Sequence, residues 1–85
     1  MPLDRMTLHI DWLQAFVTVV DAGSLSAAAP LLHRSQPAVS MQLRKLEEAL
    51  GRPVLARGPR HLALTQTGGE LLVHARRLLA AHGEA

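Results

Sequence analysis

Apolar positions along this chain recur mostly at helical spacing, and the clearest run spans residues 35–51. Val39, Leu43, Leu46 and Leu50 follow one another at intervals of four, three and four, which is one stripe of an amphipathic helix. Ser35 is a residue type that caps such a helix, its oxygen accepting from an orphan N–H of the first turn. Pro37 fits inside that turn, where its missing N–H costs nothing. Gly51 suits a left-handed C-terminal position, and Pro53 blocks continuation. At about 100° per residue, Gln36, Pro37, Ser40, Met41 and Arg44 fall away from the stripe. The N-terminal half of this helix therefore turns an amide, a hydroxyl and a guanidinium outward.

Upstream, Leu13, Phe16, Val17 and Val20 sit at i, i+3, i+4 and i+7 and predict a helix over about Ile10 to Ala22, ended by Gly23. A second apolar line, Trp12, Ala15 and Val19, runs along another face. It either fills the core or meets another helix, in this chain or in a partner. Residues 1–9 have no periodicity and read as a flexible lead-in. Ser24 or Ser26 caps a short helix through about Leu32. With Ser26 as cap, Pro30 falls at the fourth helical position and predicts a distorted first turn. His33 and Arg34 then form the whole connection to Ser35. Two helices joined by about three residues, the second polar and basic at its start, make a helix-turn-helix pattern.

Downstream the period changes. Val54 to Arg57 and His61 to Leu64 read as two short strands around the turn Gly58-Pro59-Arg60. A two-stranded hairpin is marginal alone, so it must lean on the helices as a wing. A last helix starts near Thr65 or Thr67, and Thr67 to Glu70 matches a capping box. Leu71, Ala75, Leu78 and His82 form its stripe, widened by Leu72 and Leu79.

Composition narrows what such a chain does. Eighty-five residues make one domain. Only Trp12 and Phe16 are aromatic, so Leu, Val and Ala must build the core. The absence of cysteine excludes disulfides and thiolate metal sites. The five histidines lack ligand spacing, and no nucleophile, acid–base or phosphate-loop motif occurs. A catalytic or cofactor-dependent role is therefore not expected. No apolar run is long enough to span a bilayer, and residues 1–7 lack a signal core. The net charge is +2, unevenly placed: residues 33–61 carry six cations against Glu47 and Glu48, while residues 1–32 carry Arg5 against Asp4, Asp11 and Asp21. A basic region of this kind is the footprint of a polyanion binder. Gln, Ser and Arg are side chains that read base edges in a major groove. A solvated helix face is the plain alternative, and a winged-helix module for protein contacts is the other functional class.

These residues also resemble a known family. Ala15-Phe16-Val17, Gly23-Ser24-Leu25 with Ala28-Ala29, Leu32 through Ser40, Leu46-Glu47, Leu50-Gly51, Arg57, Leu64-Thr65, Gly68 and Ala75-Arg76 are similar to the N-terminal domain of LysR-type transcriptional regulators, over about residues 8–82. The resemblance implies a mainly α winged helix-turn-helix over 10–65, with the helix-turn-helix at about 25–44 and the wing at about 54–64. It further implies a linker or dimerisation helix over 66–85. It implies a homodimer or higher oligomer on two half-sites of double-stranded DNA, a cytoplasmic location, and an effector sensed only through a C-terminal domain that this chain lacks. By position, Gln36, Pro37, Ser40 and Met41 look like base-contacting residues. Ser26, Arg34, Ser35, Arg44 and the wing residues Arg57 and Arg60 look like backbone or minor-groove contacts. Trp12, Ala15, Val19, Leu71, Leu72, Ala75, Leu78 and Leu79 look like the dimer interface. Three positions depart from the family: Met41 stands where many members have Arg, Leu55 where an aromatic is usual, and Pro30 where a polar helix residue is common. These bear on specificity more than on fold.

Overall fold

The structure, a computed structural model, describes residues 9–57 and 62–83. The elements run α1 (Ile10–Ala22), α2 (Leu25–Leu31), α3 (Gln36–Leu50), β1 (Leu55–Arg57), β2 (Leu62–Leu64) and α4 (Gln66–Ala81). This is the expected mainly α winged helix-turn-helix followed by one more helix. The strands pair antiparallel, with Leu55 opposite Leu64 and Arg57 opposite Leu62. Val54, predicted to open the first strand, precedes it in a bend and is fully buried.

Leu13, Phe16, Val19, Val39, Leu43, Leu46 and Val54 fill the centre. α1 is the hub, packed against α2, α3 and α4 at once. That shifts its buried face from the one expected. Ala15 and Val19 are fully enclosed, whereas Val17 and Val20 are only partly covered. His9 belongs to this helix rather than to a lead-in. It is the N-cap residue of α1, its carbonyl accepts from the Trp12 and Leu13 N–H groups, and its ring meets the Trp12 ring edge-on at 4.4 Å.

The caps settle two open boundaries. Ser24, not Ser26, caps α2: its hydroxyl oxygen accepts from the Ala27 N–H at 3.0 Å. Pro30 therefore lies in the last turn of α2, not the first, and the first turn is regular, with the Ala28 N–H donating to the Ser24 carbonyl. Thr65, not Thr67, caps α4 and accepts from the Gly68 N–H at 2.9 Å.

α2 ends in a Schellman motif. The His33 N–H donates to the Pro30 carbonyl and the Arg34 N–H to the Ala29 carbonyl, which is the double closure that follows a left-handed C′ residue. That residue is His33, at φ +56°. The reversal takes the chain from α2 to the Ser35 cap within four residues, 32–35.

The root of the wing is clamped from two sides. Glu47, near the end of α3, accepts from the Val54 N–H at 2.8 Å and from the Leu55 N–H at 3.4 Å through Oε2. The Val54 carbonyl accepts from the Thr65 N–H, and the Thr65 hydroxyl donates to the Pro53 carbonyl at 2.7 Å. Gly68 lies directly over this strap. A Cβ at position 68 would stand 2.0 Å from the Val54 carbonyl oxygen. Glycine is required there for close approach, not for its backbone angle.

Candidate nucleic-acid interface

The exposed start of α3 carries the groups expected of a reading face. Ser35 caps it, accepting from the Ala38 N–H at 3.3 Å, with Pro37 in the first turn. Leu43 and Leu46 anchor the opposite face in the core, so α3 is held by its stripe and its polar side stays accessible. Gln36, Pro37, Met41 and Arg44 are exposed and Ser40 is half-buried. Pro37, Met41 and Arg44 follow at i, i+4 and i+7 and make one outward row. Met41 is 48% exposed, a large apolar side chain in the middle of an otherwise polar face. Gln36 lies at the edge of this row nearest α2. Its Oε1 accepts from the Ser26 hydroxyl at 3.1 Å.

Ser26, one of the two candidate caps of α2, is not its cap. It sits inside α2, with its hydroxyl on the amide at the start of α3. Arg34 is exposed at the turn. Lys45 and Arg52 are also exposed and extend the cationic surface beyond the residues singled out from sequence. Arg60 lies outside the described residues, and of Arg57 the backbone alone is described, as the end of β1. Among the described residues no cluster of His, Asp and Glu could hold a metal ion, and no helix is long and apolar enough to cross a membrane.

The residues expected at a subunit interface separate into two groups. Ala15, Val19 and Ala75 are wholly buried within one chain and Leu79 is nearly so. They are enclosed within the chain's own fold and have no surface to offer a partner. α4 folds back onto α1, and Ala75 belongs to the buried core. Trp12, Leu71 and Leu72 are half-buried against the core, and Leu78 is 50% exposed. Val73, not singled out from sequence, is 51% exposed on the outer side of α4.

The same helix pair holds an ion pair that sequence reading missed. Arg76 reaches Asp21 through both guanidinium nitrogens, at 2.7 and 3.2 Å. That hydrogen-bonded partner, more than the charge alone, holds the Asp21 carboxyl below its ordinary value.

Residues 10–69 match the family model of bacterial regulatory helix-turn-helix proteins, lysR family. The chain belongs to the lysR family. The HTH-type transcriptional regulator DgdR of Burkholderia cepacia is 42% identical to it over 79 residues, covering 93% of this chain and 27% of that protein. The chain spans about a quarter of the length of the curated relatives it matches. Solved structures superpose on most of the chain. The domain in a CbnR_DBD–DNA complex has a TM-score of 0.85 at 39% identity, covering 89% of this chain and 87% of that one. The domain in a BenM_DBD complex with catB site 1 DNA has a TM-score of 0.86 at 35% identity, covering 91% and 86%. Four helices and a two-stranded wing are therefore a lysR-family winged helix here.

Proposed function

We infer that this chain is a sequence-specific double-stranded DNA-binding module of a transcriptional regulator. The observation that carries the reading is the row of exposed groups on the N-terminal half of α3, held outward by a buried stripe, in a domain that superposes on relatives whose structures were solved with DNA. In this reading α3 enters the major groove. Gln36, Pro37, Ser40 and Met41 face base edges, with Met41 offering apolar contact to a thymine methyl. Ser35 sits at a helix N-terminus suited to phosphate. Arg34, Arg44 and the wing residues Arg57 and Arg60 supply backbone or minor-groove contacts. Residues 10–65 form the binding unit, and α4, within the segment 66–85, is the helix that joins two chains, through Leu78 and Val73 with the flanks of Leu71, Leu72 and Trp12. A pair would set two α3 helices on half-sites one turn or a multiple of it apart. Effector control and cytoplasmic location belong to the longer regulator of which this domain would be a quarter.

A salt titration of binding on selected and scrambled DNA tests this. Gln36→Ala should cost about 1–3 kcal/mol on the selected site and relax preference at one or two base pairs, with the salt slope unchanged. Arg60→Ala should weaken both DNAs alike and make the slope shallower by about one. Binding that fails to weaken as salt rises would overturn DNA as the partner. Equal loss on both DNAs for Gln36→Ala would remove that amide from the reading face.

A further inference from the structure

The Ser26–Gln36 contact joins the one amide on the reading face to a neighbouring helix. Gln36 is the first residue of α3 and Ser26 the second of α2, so the contact fastens the starts of the two helices side by side. A serine hydroxyl has a single proton. Here that proton is given to Gln36 Oε1, so the planar amide is turned with its oxygen toward α2 and its nitrogen away from it. Both side chains are exposed; a serine hydroxyl can accept as well as donate, and in this structure it donates, with the amide oxygen as the acceptor.

We propose that Ser26 is a specificity-positioning residue: its hydroxyl fixes the Gln36 amide so that N–H donors, not the carbonyl, face the DNA, and this base pair is read as a hydrogen-bond acceptor. The proposal rests on the reading of Gln36 as a base contact. A glutamine free to turn pairs bidentately with adenine, its oxygen accepting from N6 and its nitrogen donating to N7. An amide whose oxygen is drawn back to α2 presents donors. Guanine answers with two adjacent acceptors, O6 and N7, whereas cytosine presents only the N4 donor. The same residue type at the same helical position thereby changes its preferred base from adenine to guanine through a residue that touches no base.

The experiment selects bound sites from random double-stranded DNA with the full chain, its Ser26→Ala, Ser26→Thr and Gln36→Ala variants, and compares base frequencies. The pair at which Gln36→Ala relaxes preference marks the Gln36 position. At that pair the parent chain should favour guanine. Ser26→Ala should shift the guanine-to-adenine ratio toward adenine by about fivefold, the scale one hydrogen bond supplies. Ser26→Thr, which keeps the hydroxyl, should restore the parent preference. The melting temperature should be the same for all Ser26 variants, which separates orientation from a loss of fold. An unchanged guanine-to-adenine ratio in Ser26→Ala, with Gln36→Ala still relaxing that pair, overturns the role of Ser26 alone. A parent preference for adenine there overturns it as well. No relaxation at any pair in Gln36→Ala overturns the base-contact reading and this proposal with it.

Discussion

His33 holds a left-handed backbone conformation without being glycine. For an L-residue that conformation costs roughly 1–2 kcal/mol, and a β-branched side chain fits it worst. The Schellman closure compensates by satisfying the last carbonyls of α2. His33→Val should therefore destabilise the domain by about 1–2 kcal/mol in a denaturant titration. His33→Gly should be neutral or stabilising by up to about 1 kcal/mol, since relief of strain is partly offset by the freer unfolded chain. If the valine variant melts with the parent chain, the turn does not depend on this geometry. The Arg34 N–H that completes the motif also sets where the Ser35 cap begins, so the cost at one residue falls on the entry to α3.

The start of α4 makes two adjacent glycines behave oppositely. At Gly68 an added Cβ would run into the Val54 carbonyl and the Leu64 side chain, whereas at Gly69 it would meet nothing within 4 Å. Overpacking against backbone costs typically about 1–3 kcal/mol or more, while alanine in an open helical position gains about 1 kcal/mol over glycine. Gly68→Ala should lower the melting temperature and Gly69→Ala should raise it, each read by thermal unfolding. A Gly68→Ala variant as stable as the parent chain would mean that the wing root yields easily. From sequence the Thr67-Gly68-Gly69-Glu70 match leaves Thr67 open beside Thr65 as the cap, because a capping box is recognised by residue type at fixed spacing. What decides for Thr65 is its hydroxyl's second bond, to Pro53 on the other side of the wing, and no local pattern carries that. The same limit applies to Glu47, legible as one residue of a solvated helix end, whose carboxylate in fact receives two backbone N–H groups of the wing.

Across the whole molecule, α1 and α4 are joined by apolar packing and by Asp21–Arg76. Both side chains of that pair are about half exposed, so its contribution is modest and falls with salt. Its pH dependence has a definite sign. The folded Asp21 carboxyl is held below its unfolded value by the hydrogen-bonded Arg76, so the contribution is complete above about pH 4 to 5 and disappears as pH falls through the depressed folded value. Denaturant midpoints of the parent chain and Asp21→Asn should differ by a constant amount near neutrality and converge in acid. A gap that persists at pH 2 would assign the difference to something other than this ionised pair. The pair is 55 residues apart in sequence, which is why periodicity and motif reading passed it by. Helices α1 and α3 were legible because each carries its own stripe and its own stop signal, Gly23 and Gly51. The second apolar line on α1 announced a further helix at Ala15 and Val19, but a stripe does not say whose helix covers it. The answer, that the chain's own core encloses both residues, needed the three-dimensional path.

Val54 makes α4 a lever on α3. Its N–H is held by the α3 carboxylate and its C=O by the first backbone N–H of the α4 cap, so one peptide strap is shared by both helices. Thr65 adds its own hydroxyl to Pro53, and Arg76 fixes the same helix to α1 about three turns further on. Hinging α4 away from α3 would break several of these bonds together, at about 0.5–1.5 kcal/mol each. A torque applied at the far end of α4 therefore turns the domain as one piece. In the proposed pair of chains, tilting one α4 against the other would open or close the distance between the two α3 helices while leaving the exposed face of each α3 untouched.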